Sequence, residues 1–282
     1  MKPGLSMYKI KDWVVLGRTY FKPPFKISDN LINEARIVHV VNGRSSLYAA
    51  NQYTNVQAGD TIIMKSDNFI NHWLANDTDE LNEVIVFQLT ADMLKHIYED
   101  GLPKWLDNRT DQLTFPIHKQ EENAPVQQYY NSLRYYLDHP ELISQDLLQL
   151  KIKELLYILV KSDSQGDNQR ILSSLFENRQ YKFQEVILTH LYEPLNLEDL
   201  AFLTQLSVSS FKRRFKLIYG TSPNKYFISK RLEKAQQLLR TTDLQVSEVA
   251  YDCGFTDVGH FGKTFKKHYH TSPSEFREQL LS

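Results

Sequence analysis

Two clusters of cationic side chains stand out in the last third of the chain. One is Lys212-Arg213-Arg214 with Lys216, and the other is Lys263 with Lys266-Lys267. An arginine can donate two hydrogen bonds to a guanine, a lysine can reach O6 or N7 of the same base, and both neutralise phosphates. The chemistry open to these clusters is nucleic-acid binding, although a charge run can also be a solvated helix face.

The two clusters occupy matching places in an internal repeat with an offset of 50 residues. The first copy contains Phe211, Phe215, Lys216, Tyr219 and Thr221-Ser222-Pro223, and the second contains Phe261, Phe265, Lys266, Tyr269 and Thr271-Ser272-Pro273. Upstream the offset is 49, with Leu197, Leu200, Ala201 and Leu206 matched by Val246, Val249, Ala250 and Phe255. A match of this length indicates a duplicated supersecondary unit, with the one-residue slip in its turn.

Each copy of the repeat predicts a short helix, a turn and a second helix. Ser207 and Asp257 are at the N-cap position of the second helices. One side of these helices is apolar: Phe211, Phe215 and Ile218, or Phe261, Phe265 and His268. The other side is polar or basic: Ser209, Lys212, Arg213 and Lys216, or Gly259, Gly262, Lys263 and Lys267. This pattern is typical of a helix-turn-helix, whose second helix can enter a major groove.

A connecting helix is predicted between the two copies. Ser222 is a good N-cap and Pro223 a good first-turn residue. The apolar stripe consists of Ile228, Leu232, Ala235, Leu238 and Leu239. A helix of about 18 residues spans roughly 27 Å. It could hold two recognition helices about one DNA turn, ~34 Å, apart.

The first ~90 residues have the pattern of strands. The β-branched runs are Trp13–Leu16, Ile37–Val41, Ser45–Ala49, Thr61–Met64 and Val84–Leu89. Asn42-Gly43 is a strong hairpin signal because both residues tolerate a positive φ. Short strands at this spacing predict a sandwich or small barrel.

Helices follow from Thr90, which can cap Ala91–Glu99, with later helices beginning at Pro125 and after Ser144. Their apolar stripes include Leu133, Leu137, Leu148, Ile152, Leu155 and Leu159. These side chains either fill the domain's own core or form a dimer seam, or both. The polar stretch 162–169 is a linker candidate, although the boundary could lie up to about 20 residues later, and the predicted domains are 1–165 and 180–282.

Composition supports this division. The 282 residues carry a net charge of -1, yet residues 180–282 hold 14 Lys and Arg against 11 Asp and Glu. A single cysteine excludes a disulfide framework and a cysteine-based zinc finger, and it fits the reducing cytoplasm. No apolar stretch approaches 18 residues and the first residues lack a secretory h-region, so we expect no membrane association.

Candidates for catalysis or metal binding are few. The β-rich half offers only His39 and His72, without a His-x-His pair, so we expect neither a metal nor a catalytic site. Cys253 is expected to be a small buried residue. The aromatic residues Tyr48, Tyr53, Phe69, Trp73 and Phe87 could line a ligand pocket or fill an ordinary core.

The repeat resembles the AraC/XylS family of bacterial transcription regulators. The motifs LNLEDLAFLTQLSVSSFKRRFKLIYGTSPNKYF and VSEVAYDCGFTDVGHFGKTFKKHYHTSPSEFR carry this resemblance. The N-terminal half resembles the cupin-type sensor and dimerisation domain of many members, and LKIKELLYILVKSDSQG is similar to ExsA-like regulators of type III secretion. The implied fold is α+β with two domains: a cupin-like barrel or jelly roll followed by C-terminal helices, then an all-α domain of two helix-turn-helix units joined by a linker helix.

The resemblance also implies positions for DNA contact. Those at base edges are Ser209, Lys212 and Arg213 in the first unit and Val258, Gly259 and Lys263 in the second, while Lys216, Lys266 and Lys267 would touch phosphates. Val258 offers only a methyl contact and Gly259 only backbone, where other members carry polar side chains. His270 stands where a glycine is usual. We therefore expect the first helix-turn-helix to determine most of the DNA sequence preference and the second mostly to anchor the protein on the DNA.

The resemblance implies a cytoplasmic, sequence-specific regulator that binds promoter DNA and RNA polymerase and acts as an activator rather than a repressor. Its partners would include a second copy and either a small-molecule effector or an anti-activator protein, with no cofactor. The alternative is a cupin-type enzyme with a DNA-binding tail.

Overall fold

The chain divides into two compact units, Met1–Gln180 and Tyr181–Ser282. The computed structural model describes residues 3–75, 80–99, 101–104, 115–163, 166–173, 175 and 182–281. Within these ranges no helix is both long and apolar enough to span a bilayer.

The first unit is a two-sheet antiparallel sandwich with helices on one side. In the described part of the chain its strands are β1 (Gly4–Ile10), β2 (Trp13–Phe21), β3 (Phe25–Asn30), β4 (Glu34–Asn42), β5 (Arg44–Ala49), β6 (Gln52–Gln57), β7 (Thr61–Met64), β8 (Asn68–Trp73), β9 (Asn82–Thr90) and β10 (Ile117–Gln120). One sheet has the order β1-β2-β9-β4-β7-β10, and the other has the order β3-β8-β5-β6. This confirms the β-rich N-terminal fold expected from the sequence.

Asn42-Gly43 turns the chain without forming a hairpin, which corrects the sequence prediction. β4 pairs with β7 and β9, whereas β5 pairs with β6 and β8 in the other sheet. Local turn chemistry bends the backbone here, but the two flanking strands belong to different sheets. The turn is therefore a corner between the layers of the sandwich.

Within the described residues, the α-helices of the first unit are α1 (Ala91–Ile97), α2 (Ala124–Asp138), α3 (Gln145–Lys161) and α4 (Asp167–Ser173). The side chains of Thr90, Asn123 and Ser144 cap the first three. The six stripe residues Leu133, Leu137, Leu148, Ile152, Leu155 and Leu159 are buried with Ile37 and Phe87 of the larger sheet. They are core residues, and any seam with a second copy would have to use other side chains.

The described residues of the polar stretch, 162–163 and 166–169, belong to the first unit. Asn168 is fully buried, and its Nδ2 donates to the Leu159 carbonyl at 2.7 Å and to Gln120 Oε1 at 2.8 Å. α4 then contributes Ile171 and Leu172 to the core. The first compact unit therefore includes α4 and extends to Gln180.

The second unit is helical throughout its described length. Its helices are α5 (Phe183–Thr189), α6 (Leu197–Leu203), α7 (Val208–Tyr219), α8 (Pro223–Thr241), α9 (Val246–Asp252), α10 (Val258–Tyr269) and α11 (Pro273–Leu281). The pairs α6–α7 and α9–α10 are the two copies of the repeat, and α8 is the connecting helix, 19 residues long. Four residues separate α6 from α7 and five separate α9 from α10, so the slip in the repeat lies in the turn.

Candidate nucleic-acid interface

The first helix-turn-helix is α6 and α7, and both helices start at side-chain caps. Asn196 Oδ1 accepts from the Asp199 amide at 2.8 Å, while Asp199 Oδ2 accepts from the Asn196 amide at 3.0 Å. The Ser207 hydroxyl accepts from the Ser210 amide at 3.3 Å, as the sequence predicts. These caps satisfy backbone donors at the helix starts and define where the chain turns.

Aromatic packing determines which side of α7 is buried. Phe211 and Phe215 are fully buried, and the Phe183 ring of α5 lies 5.2 Å from the Phe211 ring. Tyr219 packs 4.5 Å from Phe215, centroid to centroid, and thus takes the place predicted for Ile218, which is 36% exposed. The inner stripe therefore follows positions 211, 215 and 219, four residues apart.

The opposite face of α7 is exposed and cationic. The predicted DNA-contacting residues Ser209, Lys212, Arg213 and Lys216 are all exposed. Arg214 is directed differently, with its guanidinium 5.3 Å from the centroid of the Phe183 ring. Three cations thus project from a helix whose N-terminal turns are open to a ligand, the arrangement that major-groove reading requires.

The second helix-turn-helix, α9 and α10, repeats this construction. Asp257 accepts a hydrogen bond from the His260 amide, and Phe261 and Phe265 are fully buried. Tyr269 packs 4.7 Å from Phe265 and His268 is exposed, so His268 does not occupy the core position expected for it. In both helices the inner aromatic residues recur every four positions, so Tyr219 and Tyr269 take the places predicted for Ile218 and His268.

The outward face of α10 is thinner in side chains than that of α7. Gly259, Lys263, Lys266 and Lys267 are exposed, whereas Val258 is half-buried against the core of the second unit. Eight of the nine residues predicted to contact DNA thus lie on one of two exposed helix faces, and Val258 is the exception. The second face lacks polar side chains at its leading positions.

Two features of this region, one helix and one buried side chain, were not predicted from the sequence. α5 was not predicted, although it places Phe183 and Ile187 in the core of the first helix-turn-helix. In α8, Phe227 is buried in place of the predicted Ile228, which is 37% exposed. The repeat gave no signal for Phe227, because at the offset of 50 residues Phe276 matches Tyr226 and Phe227 matches Arg277.

The two histidines considered for chemistry lie in different sheets. His39 stacks on Tyr130 beneath the helices, whereas His72 is on β8 in the other sheet. Within the described residues, no group of three or more His, Cys, Asp or Glu side chains could hold a metal ion. Cys253 is fully buried, and burial raises the pKa of its thiol to about 11, which keeps it protonated at neutral pH.

A cavity of about 250 Å³ lies between the two sheets of the first unit. Trp73, one of the five aromatic residues considered, lines it together with Phe21, Val38 and Val86. Phe69 is buried in the core between the sheets, and Phe87 is buried under the helices. Tyr48 and Tyr53 stack on each other, with centroids 6.2 Å apart.

Both units of the chain are similar to domains of known proteins. The "Helix-turn-helix domain" family matches residues 200–279, and the "ExsA N-terminal regulatory domain" family matches residues 35–171. The HTH-type transcriptional regulator GbdR of Pseudomonas aeruginosa is 31% identical over 135 residues, which are 46% of this chain and 36% of GbdR. The HTH-type transcriptional activator RhaS of Shigella dysenteriae is 27% identical over 249 residues, 86% of this chain and 81% of RhaS.

The chain carries the two domains of AraC/XylS-type transcriptional regulators. It spans about a third of the length of GbdR and four fifths of RhaS. Among solved structures, ToxT from Vibrio cholerae with an unsaturated fatty acid bound is 16% identical, with a TM-score of 0.39 and 93% of this chain and 94% of ToxT covered. In this chain, the two copies of the repeat supply the helix-turn-helix pair and the sandwich supplies the N-terminal domain.

Proposed function

We propose that the chain is a sequence-specific DNA-binding regulator of transcription, an activator that works in the bacterial cytoplasm. The observation that supports this most directly is the pair of exposed cationic faces at equivalent positions of two helix-turn-helix units. Arg213 on α7 and Lys263 on α10 are related by the repeat, and both point away from the buried phenylalanines. Two recognition helices on one chain can read successive major grooves.

The two helix-turn-helix units would contribute unequally to the recognition of a DNA sequence. α7 offers Ser209, Lys212 and Arg213, which supply both donors and acceptors for base edges. α10 offers a half-buried valine and a glycine before Lys263, and a cluster of lysines behind it. Lysines that neutralise phosphates add affinity without sequence preference.

The experiment that tests the proposal is selection of bound sequences from a random DNA pool by the purified full chain at stated salt. We expect one well-defined half-site and, about one helical turn away, a T-rich or loosely specified half-site. A pool that stays random with and without a cell extract as a source of effector would contradict the proposal.

The N-terminal domain would receive the controlling signal through its cavity. The cavity is mostly apolar, and Arg36, which lines it, is already paired with Asp29 and Glu34 at 3.1 and 2.7 Å. This lining favours a small apolar effector over a strongly anionic one. A thermal-shift screen of small apolar compounds should find one that raises the unfolding temperature and changes Trp73 emission. If instead a stoichiometric protein co-purifies and blocks DNA binding, the signal is an anti-activator.

Dimerisation would use the outward face of α3. Leu150 and Tyr157 are separated by two helical turns and are 63% and 55% exposed. Replacing both by lysine should convert a dimer to a monomer in analytical ultracentrifugation, because the charges could not be buried at a seam. Ile32→Lys, at a 68% exposed site outside the helices, is the matched control.

As an activator, the protein would also contact RNA polymerase at its promoter. Transcription in vitro with purified polymerase should increase when the protein and the selected site are both present. The same reaction distinguishes a repressor, which would lower it. A cupin-type enzyme would require a metal, and stoichiometric iron, zinc or manganese in the purified protein would revive that alternative.

A further inference from the structure

Arg231 lies at the middle of α8, where the connecting helix passes from one helix-turn-helix to the other. Phe227, one turn earlier, is buried with the core of the first. Leu232, Ala235 and Leu239 are buried with the core of the second. The side chain of Arg231 is thus placed at the junction between two separate cores.

The Arg231 guanidinium bonds to backbone carbonyls on both sides of this junction. Nε donates to the Leu191 carbonyl at 3.2 Å and Nη2 to the Glu193 carbonyl at 2.7 Å, in the segment that leads into α6. Nη1 donates to the Gly254 carbonyl at 2.9 Å, in the turn between α9 and α10. One rigid, planar group therefore links the segment that leads into the first helix-turn-helix to the turn of the second helix-turn-helix.

Two further contacts strengthen the same junction. Lys234, one turn after Arg231 on α8, donates to the Asp252 carbonyl at 2.6 Å and lies 4.2 Å from the centroid of the Tyr192 ring. Gly254 has φ of +79° and lies so close to the Tyr192 carbonyl that a side chain at this position would collide with it. The turn of the second helix-turn-helix is thus packed directly on residues 191–193.

We propose that Arg231 is a positioning residue that sets the separation and relative angle of α7 and α10, and through them the spacing between the two DNA half-sites. The inference rests on the proposed function, since it concerns DNA sites that both units contact. One added base pair moves a half-site by about 3.4 Å and rotates it by about 34° around the DNA axis. A pair of recognition helices locked at their junction cannot follow that change.

The test measures the affinity of the full chain for its selected site and for versions with one base pair inserted or deleted between the half-sites. Wild type should bind the altered spacings at least tenfold more weakly than the selected one. Arg231→Met cannot bond the three carbonyls, and it should reduce this discrimination at least threefold. Its affinity for DNA carrying the first half-site alone should stay within twofold of wild type. Lys230→Met is the matched control, because Lys230 is the preceding residue and bonds Glu233 on the same helix at 2.6 Å. It should discriminate as wild type does.

A merely structural role for Arg231 would weaken binding to all spacings by one common factor, and that result would overturn the proposal. An unchanged discrimination ratio in Arg231→Met, or a wild type that tolerates every spacing, would overturn it equally. If Arg231→Met fails to fold by circular dichroism, the ratio in Arg231→Lys and Lys234→Met decides in the same way. Selection of no sequence at all by wild type would be a failure of the proposed function, which the random-pool experiment detects separately.

Discussion

The ring of His39 lies face to face on the ring of Tyr130, with the two centroids 3.7 Å apart and the planes 6° from parallel. The contact joins β4 to α2, and His39 Nδ1 also lies 2.9 Å from Thr61 Oγ1 on β7. The imidazole is 3% exposed, so a proton added to it would be buried. This makes the packing of the helices on the larger sheet sensitive to pH.

We predict that the first unit loses stability in mild acid. Burial lowers the pKa of His39 from 6.5 to about 4, with a smaller contribution from the charge of Arg134. Since the unfolded chain takes up the proton first, stability is retained above pH 6.5 and falls as the pH drops towards 4, by about 3 kcal/mol in total. Urea unfolding followed by tryptophan emission measures it, because Trp13 and Trp73 lie in the first unit and residues 181–282 contain no tryptophan.

The control for this prediction is His39→Phe, which keeps an aromatic ring over Tyr130 and removes the titrating group. The loss of stability between pH 7.5 and pH 5 should be smaller in the variant than in wild type. An equal loss in both proteins would assign the pH dependence to other groups, such as His118, whose pKa burial also lowers.

A second prediction separates base reading from phosphate contact. Arg213→Ala should cost ~1–3 kcal/mol on the selected site and relax the preference at one base position, because Arg213 is an exposed donor near the middle of α7. Lys267→Ala should weaken binding to all sequences alike and reduce its salt dependence. Binding titrations on the selected site and on single-base variants, at two salt concentrations, measure both. Equal loss of specificity from the two substitutions would contradict the division of labour.

The sequence predicted those strands whose apolar residues are β-branched and continuous, such as Thr61–Met64, but not the polar or peripheral ones. The strands it missed are Gly4–Ile10, Phe25–Asn30, Gln52–Gln57, Asn68–Trp73 and Ile117–Gln120. β1, β3, β6 and β10 are edge strands of their sheets, where pairing on one side only demands less from side chains.

The candidate site was more predictable than the sheets, for a physical reason. The repeat and the spacing of Phe211 and Phe215 determine which face of the recognition helix is buried, and so which face is exposed. The junction at Arg231 left no such signal, because its acceptors are backbone carbonyls, which every residue carries. Contacts of that kind become visible only once the fold is known.

A third prediction concerns α5, which extends the DNA-binding unit upstream of the matched helix-turn-helix family. Phe183→Ala should lower the stability of the second unit by about 3–5 kcal/mol, since its ring is 3% exposed and packs on Phe211 and Phe215. Leu188→Ala on the same helix, at a 60% exposed position, should change stability by less than ~0.5 kcal/mol. Far-UV circular dichroism during urea unfolding follows the helices of both units, so the transition of the second unit is identified by comparison with tryptophan emission, which reports the first unit. Similar effects from the two substitutions would show that α5 is not part of the folded unit.

The last prediction uses the equivalent C-terminal residues of the two recognition helices. Gly220 ends α7 with φ of +69°, and His270 ends α10 with φ of +63°. The amide of each residue donates a hydrogen bond of 2.9 Å to the carbonyl of the lysine four residues earlier. A left-handed conformation is unstrained for glycine and costs other residues about 1 kcal/mol.

His270→Gly should therefore stabilise the second unit by up to about 1 kcal/mol, and Gly220→Ala should destabilise it by a similar amount. Urea unfolding by circular dichroism measures the two variants side by side, and DNA binding of His270→Gly should equal that of wild type. If His270→Gly unfolds no later but binds DNA more weakly, the imidazole serves the interface and its strained backbone is retained for that contact.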